Sequence, residues 1–163
     1  MLGPCLFVVH LGHTRIPPSE ATLLQNFKQH RATFEQLRDM LASDTNLNRI
    51  GTWGVNLQKP HFVGRPDSQL IPPERYERYR ILLKEVSANM AARDIGNPSE
   101  IELTIFLWSW GAAVSPRHYN MGICWREQEP TKQVSTLDGY PSHSEPGNAY
   151  RHIDSHWYIW TDL

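Results

Sequence analysis

A chain of 163 residues with 40% hydrophobic and 20% charged residues is the size of one domain with a substantial core. Its formal net charge of −1 lacks the basic excess by which a nucleic-acid or anionic-membrane binder is recognised. Two cysteines make no disulfide framework, and no apolar run reaches the length of a membrane-spanning helix.

Residues 1–12 are apolar, but no Lys or Arg precedes them and His10 interrupts them. A secretory signal needs a basic start and a longer apolar run. Residues 1–18 therefore read either as a flexible start or as the remnant of an export signal. The first places the protein in the cytoplasm, the second in a bacterial envelope or periplasm. Cys5 and Cys124 either pair in an oxidising compartment, or Cys124 is a buried thiol.

Pro17 and Pro18 stop whatever precedes them, and Ser19 is a good N-cap with Glu20 at the positive end of a helix dipole. Leu23, Phe27, His30, Phe34, Leu37 and Leu41 then recur at spacings of four and three, which predicts one amphipathic helix ending near Ser43 and Asp44. His30 on that stripe is a boundary histidine held by a local hydrogen bond. Across 45–71, Leu47, Ile50, Trp53, Val55 and Leu57 suit a short strand or an extended segment pinned by Trp53, and 59–68 reads as a loop. Pro72, Pro73 and Glu74 open a second helix, with Tyr76, Tyr79, Leu83, Val86 and Met90 on its apolar stripe and Gly96, Asn97 and Pro98 ending it.

Then come strands. Over 101–110, Ile101, Leu103, Ile105 and Leu107 share one face; Glu102, Thr104, Phe106, Trp108 and Trp110 share the other. Over 118–125, Tyr119, Met121, Ile123 and Trp125 alternate with His118, Asn120, Gly122 and Cys124. Residues 127–149 read as a polar loop with an ordered island at 134–140. The last strand, 150–160, places Ile153, Trp157 and Ile159 on one face and Tyr150, His152, Asp154, His156, Tyr158 and Trp160 on the other. Helices followed by strands predict a single α+β domain over 1–163: an antiparallel sheet of three to five strands with two amphipathic helices packed on one face.

The order of these parts resembles a family of small uncharacterised bacterial proteins, several of them lipoprotein-like or exported. The residues that carry the likeness are Phe34 to Leu41, Asp44, Arg49 and Ile50, the Pro72 to Tyr76 helix start, and Tyr150 to Asp154 with Trp157 and Tyr158. It spans roughly residues 25–160. The resemblance implies an exported protein and no particular activity.

Two function classes fit the residues. His152, Asp154 and His156 are metal-ligand types, yet residues two apart on a strand rise about 6.6–7 Å, too far for bonds of about 2 Å to gather all three on a straight strand. Cys124 with His118, His152 or His156 as base and Asp154 as orienter has the right types for a thiol hydrolase, but nothing nearby except Arg126 lowers the thiol pKa. The favoured reading is a non-catalytic binding protein without metal or cofactor. Its candidate surface is Phe106, Trp108, Trp110, His118, His152, Asp154, His156, Tyr158 and Trp160, open to a protein partner or a second copy unless a loop covers it.

Overall fold

The computed structural model describes residues 16–57, 62–63, 71–94, 102–110, 119–138 and 147–162. Residues 1–15 of the 1–18 segment read as a flexible start or export-signal remnant, Cys5, the helix stop at 96–98 and His118 lie outside them. The chain is α+β, with one antiparallel sheet. The sheet has eight strands among the described residues rather than three to five, in the order β3-β2-β1-β4-β5-β6-β8-β7. Among the same residues three helices, not two, accompany it.

Each difference has a local cause. The first amphipathic stripe is broken at His30, whose backbone (φ −118°, ψ 25°) ends α1 (Glu20–Gln29) and starts α2 (Arg31–Ser43). Ser19 does cap α1, its Oγ accepting the Thr22 N–H at 3.3 Å. The joint is held from outside: Asn26 Nδ2 donates to the Val86 carbonyl at 2.8 Å, and His30 Nδ1 lies 3.7 Å from Glu85.

The 45–57 segment is a hairpin, β1 (Leu47–Gly51) and β2 (Gly54–Leu57), followed by β3 (Phe62–Val63). Trp53 sits in its turn, 40% exposed.

Helix α3 (Pro73–Glu85) stops before Met90. Ser87 takes a left-handed φ of 56°, and the chain re-enters the sheet as β4 (Met90–Asp94). The tyrosine hydroxyls of α3 are bonded to protein: Tyr76 to the Gly51 carbonyl at 3.2 Å, Tyr79 to Asp44 Oδ2 at 2.8 Å.

Strands β5 (Glu102–Trp110) and β6 (Tyr119–Arg126) pair as expected, with one irregularity. Phe106 opposes Gly122 and Trp108 opposes Met121, so Leu107 is an extra residue. This bulge reverses the alternation. Leu107 and Trp108 both join the aliphatic core, which corrects the placement of Trp108 beside Phe106. The C-terminal stretch is a hairpin, β7 (Ala149–Asp154) and β8 (Trp157–Asp162), turning through Ser155 and His156 with Ser155 at φ 47°.

All three helices contact the same core. Leu23, Phe27, Phe34, Leu37, Tyr79 and Leu83 meet Ile50, Ala91, Ile105, Ile123, Trp157 and Ile159 from the sheet. Phe27, Phe34 and Trp157 form its ring cluster, with centroids 5.3–6.3 Å apart. Each such large, fully buried side chain contributes about 1.5–3 kcal/mol. After β6, residues 132–134 run along the outer edge of β7: Val134 N–H donates to the Tyr150 carbonyl at 2.9 Å, and Tyr150 N–H to Lys132 at 3.1 Å. Leu137 then buries itself in the helix-side core. Among the described residues, no helix is long and apolar enough to cross a membrane.

Candidate functional site

With the helices on one side, period-two alternation sends a second set of side chains to the other. Three cross-strand rows result. Glu102 opposes Arg126. Thr104 opposes Cys124, which opposes Tyr158 and then His152. Phe106 opposes Gly122, then Trp160 and Tyr150. The β7–β8 hairpin thus keeps Tyr150, His152, Tyr158 and Trp160 on one face, although they are not on one strand.

The first row anchors a buried polar network. Glu102 and Arg126 form an ion pair with both side chains largely covered. Tyr150 joins them: its hydroxyl donates to Glu102 Oε2 at 3.2 Å and accepts from Arg126 Nη1 at 2.9 Å, while the guanidinium lies 4.9 Å from its ring centroid. Asn148 Nδ2 adds a donor at 3.2 Å. Burial, then the Glu102 charge, pushes the Tyr150 phenol well up, so it stays protonated.

The other rows form a second, smaller cluster: Cys124, Tyr150, Tyr158 and Trp160, with Phe106 half-buried against it. Its rings pack edge to face, Phe106 on Trp160 at 5.1 Å, Tyr150 on Tyr158 at 6.4 Å and His152 on Tyr158 at 5.3 Å. Tyr158 and Trp160 are 2% and 4% exposed, so this part of the face is not an open patch. Gly122 makes room for Trp160. A Cβ there would stand 3.1 Å from the indole nitrogen and 2.0 Å from the Ile105 carbonyl oxygen. Among the described residues the buried Trp160 indole N–H meets no acceptor.

The catalytic constellation does not converge among the described residues. Cys124 is fully buried, and burial followed by the Glu102 charge pushes its thiol well above the ordinary range, which leaves it a poor nucleophile. His152 is exposed, its Nε2 at 2.9 Å from the Ser155 carbonyl. A bulge between His152 and Asp154 turns Asp154 towards the helices, where it pairs with Arg31. His156 lies in the hairpin turn, its ring 5.8 Å from Trp125. The three are therefore not one strand face, a correction of the single-strand reading. No group of three His, Cys, Asp or Glu is placed to hold a metal among the described residues. His118 and the Trp110 side chain lie outside them.

Sequence reasoning missed Glu102, Arg126 and Tyr150 as a unit. Their signal was an acid and a base on neighbouring strands, but the opposition depends on the register, which the Leu107 bulge shifts by one residue. It also missed the other end of the same face, where Arg49 on β1 is exposed and Met90 on β4 half-buried. No protein-family model, no curated protein and no solved structure matches this chain, so the functional reading rests on its own geometry.

Proposed function

We propose that the protein is a non-catalytic binding protein that recognises its ligand through the side of the sheet opposite its described helices. The observation that carries this is the segregation of the two faces. Three helices serve the aliphatic side, while the opposite side carries a second aromatic cluster, with Tyr150, Tyr158 and Trp160 buried in it and Phe106 half-buried at its margin. The ligand would meet Phe106, an aromatic ring backed by that cluster, and aromatic rings are enriched at recognition surfaces. The buried, raised-pKa thiol and the separate engagements of His152 and Asp154 favour binding over hydrolysis.

The test is a thermal-shift screen of small molecules and peptides on the full chain, in parallel with Phe106→Ser. The expected result is a ligand class that raises the wild-type melting temperature and loses that effect in the variant, which still folds. A hydrolase activity present in wild type and abolished in folded Cys124→Ala would overturn the reading.

A further inference from the structure

The buried cluster is one end of a longer row. Following the register from Gly122 towards β1, the neighbours are Phe106, Met90 and Gly51. Trp53 folds back onto Gly51: a Cβ on that glycine would meet the indole at 2.7 Å, so the ring occupies the place of the missing side chain. Trp160 stands in the same relation to Gly122. Successive strands are about 4.8 Å apart. By register, Trp53, Met90, Phe106 and Trp160 therefore line up as one apolar row on the side of the sheet opposite the described helices.

Exposure changes along it. Trp160 is buried, Phe106 and Met90 are half-buried, and Trp53 is 40% exposed. Beside the open end stands Arg49, two residues before Gly51 on β1 and so about 6.6–7 Å along the same face. Arg49 is exposed and makes no ion pair with any described residue. Other arginines are engaged, Arg75 with Asp44, Arg126 with Glu102 and Arg31 with Glu35 and Asp154.

We infer that Arg49, Trp53, Met90 and Phe106 form a docking surface for an acidic segment of a partner protein, with a carboxylate of that segment on the Arg49 guanidinium and an apolar side chain on the strip. This rests on the binding reading above and locates it at the open end of the face. Two features favour this occupant. Trp, Phe, Met and Arg are the types enriched at interface centres. A guanidinium with no ion pair among the described residues selects a planar anionic partner, and carboxylate meets it with two parallel hydrogen bonds. The chain's net charge of −1 argues against nucleic acid as the source of the anion.

The experiment is selection of displayed linear peptides on the full chain, followed by titration of the enriched peptides against wild type, Arg49→Glu and Trp53→Ala. Arg49 is exposed, so Arg49→Glu should melt at the wild-type temperature. The expected result is enrichment of Asp or Glu beside an apolar residue, a loss of about tenfold or more in affinity with either variant, and recovery on Arg49→Glu when the peptide acid is changed to Lys. Failure to enrich any peptide overturns the inference. So do binders indifferent to Arg49 and Trp53 but lost in Phe106→Ser, although these would sustain the broader binding reading. A concentration-dependent dimer abolished by Arg49→Glu, or an oligonucleotide that binds more tightly than the peptides, would also overturn it by naming a different occupant.

Discussion

Gly122 shows what one residue settles. Its position on β6 must carry no side chain, because a Cβ would lie 2.0 Å from the Ile105 carbonyl oxygen, a backbone atom that cannot step aside without opening the β5–β6 ladder. Gly122→Ala should therefore destabilise the fold by about 3 kcal/mol or more, read as a lower urea midpoint. An unchanged midpoint would mean that the two strands separate more easily than their pairing implies. The requirement was not legible in the sequence. A glycine inside a strand pattern signals a close approach, but not of what. Cys124 was legible as a buried thiol, since a small apolar residue in an aromatic strand is ordinarily core. Trp108 was not, because alternation fails wherever a bulge inserts a residue, and nothing in the local composition marks Leu107 as that residue.

At the scale of elements, helix α1 depends on a partner far along the chain. Glu20 reads from sequence as a first-turn acid favouring the dipole, and that much holds. It is also buried: one oxygen accepts the Leu137 N–H at 2.8 Å, the other pairs with Arg151, and the Glu20 N–H donates to Asp138 Oδ1 at 2.8 Å. The 132–138 segment is latched to the helix start by this carboxylate. Glu20→Ala leaves the Arg151 charge and the Leu137 N–H without that acceptor and should cost about 2–4 kcal/mol; Glu20→Gln keeps an acceptor and should cost less. Amide hydrogen exchange at Val134 and Leu137 checks the mechanism, because a latch predicts faster exchange there before the rest of the sheet is affected. Helical stripes and strand alternation were legible because both are local periodicities. The joint at His30, the early stop of α3 and the β7–β8 hairpin were not. The joint is held by what the helices dock against, such as Asn26 on Val86, while the α3 stop and the hairpin turn use left-handed Ser87 and Ser155, residues that no breaker signal marks.

For the whole molecule, protonation links stability to alkaline pH. Burial raises the Cys124 thiol, the Tyr79 phenol, which also donates to Asp44, and the Tyr150 phenol. A raised native pKa means that the folded state holds its proton more tightly than the unfolded chain. The stabilisation is full below the ordinary values, about 8.5 for a thiol and 10 for a phenol, and is lost as pH rises beyond them. The urea midpoint should fall from pH 8 upward and more steeply past pH 10. The early part of that fall should vanish in Cys124→Ala, and a flat profile would contradict the burial of these groups. The α+β class and the antiparallel sheet were readable from the order of patterns, whereas the strand number was not, since β4 borrowed its first residue from an apparent helix stripe. The covering of β7 by residues 132–134 bears on how such a wide sheet behaves in a crowded cell. An uncovered outer strand is a template on which further chains can add; here, at Tyr150, the donor and acceptor that would recruit them are already taken by Val134 and Lys132. At that point of the margin the chain's own loop takes the place where another chain would add.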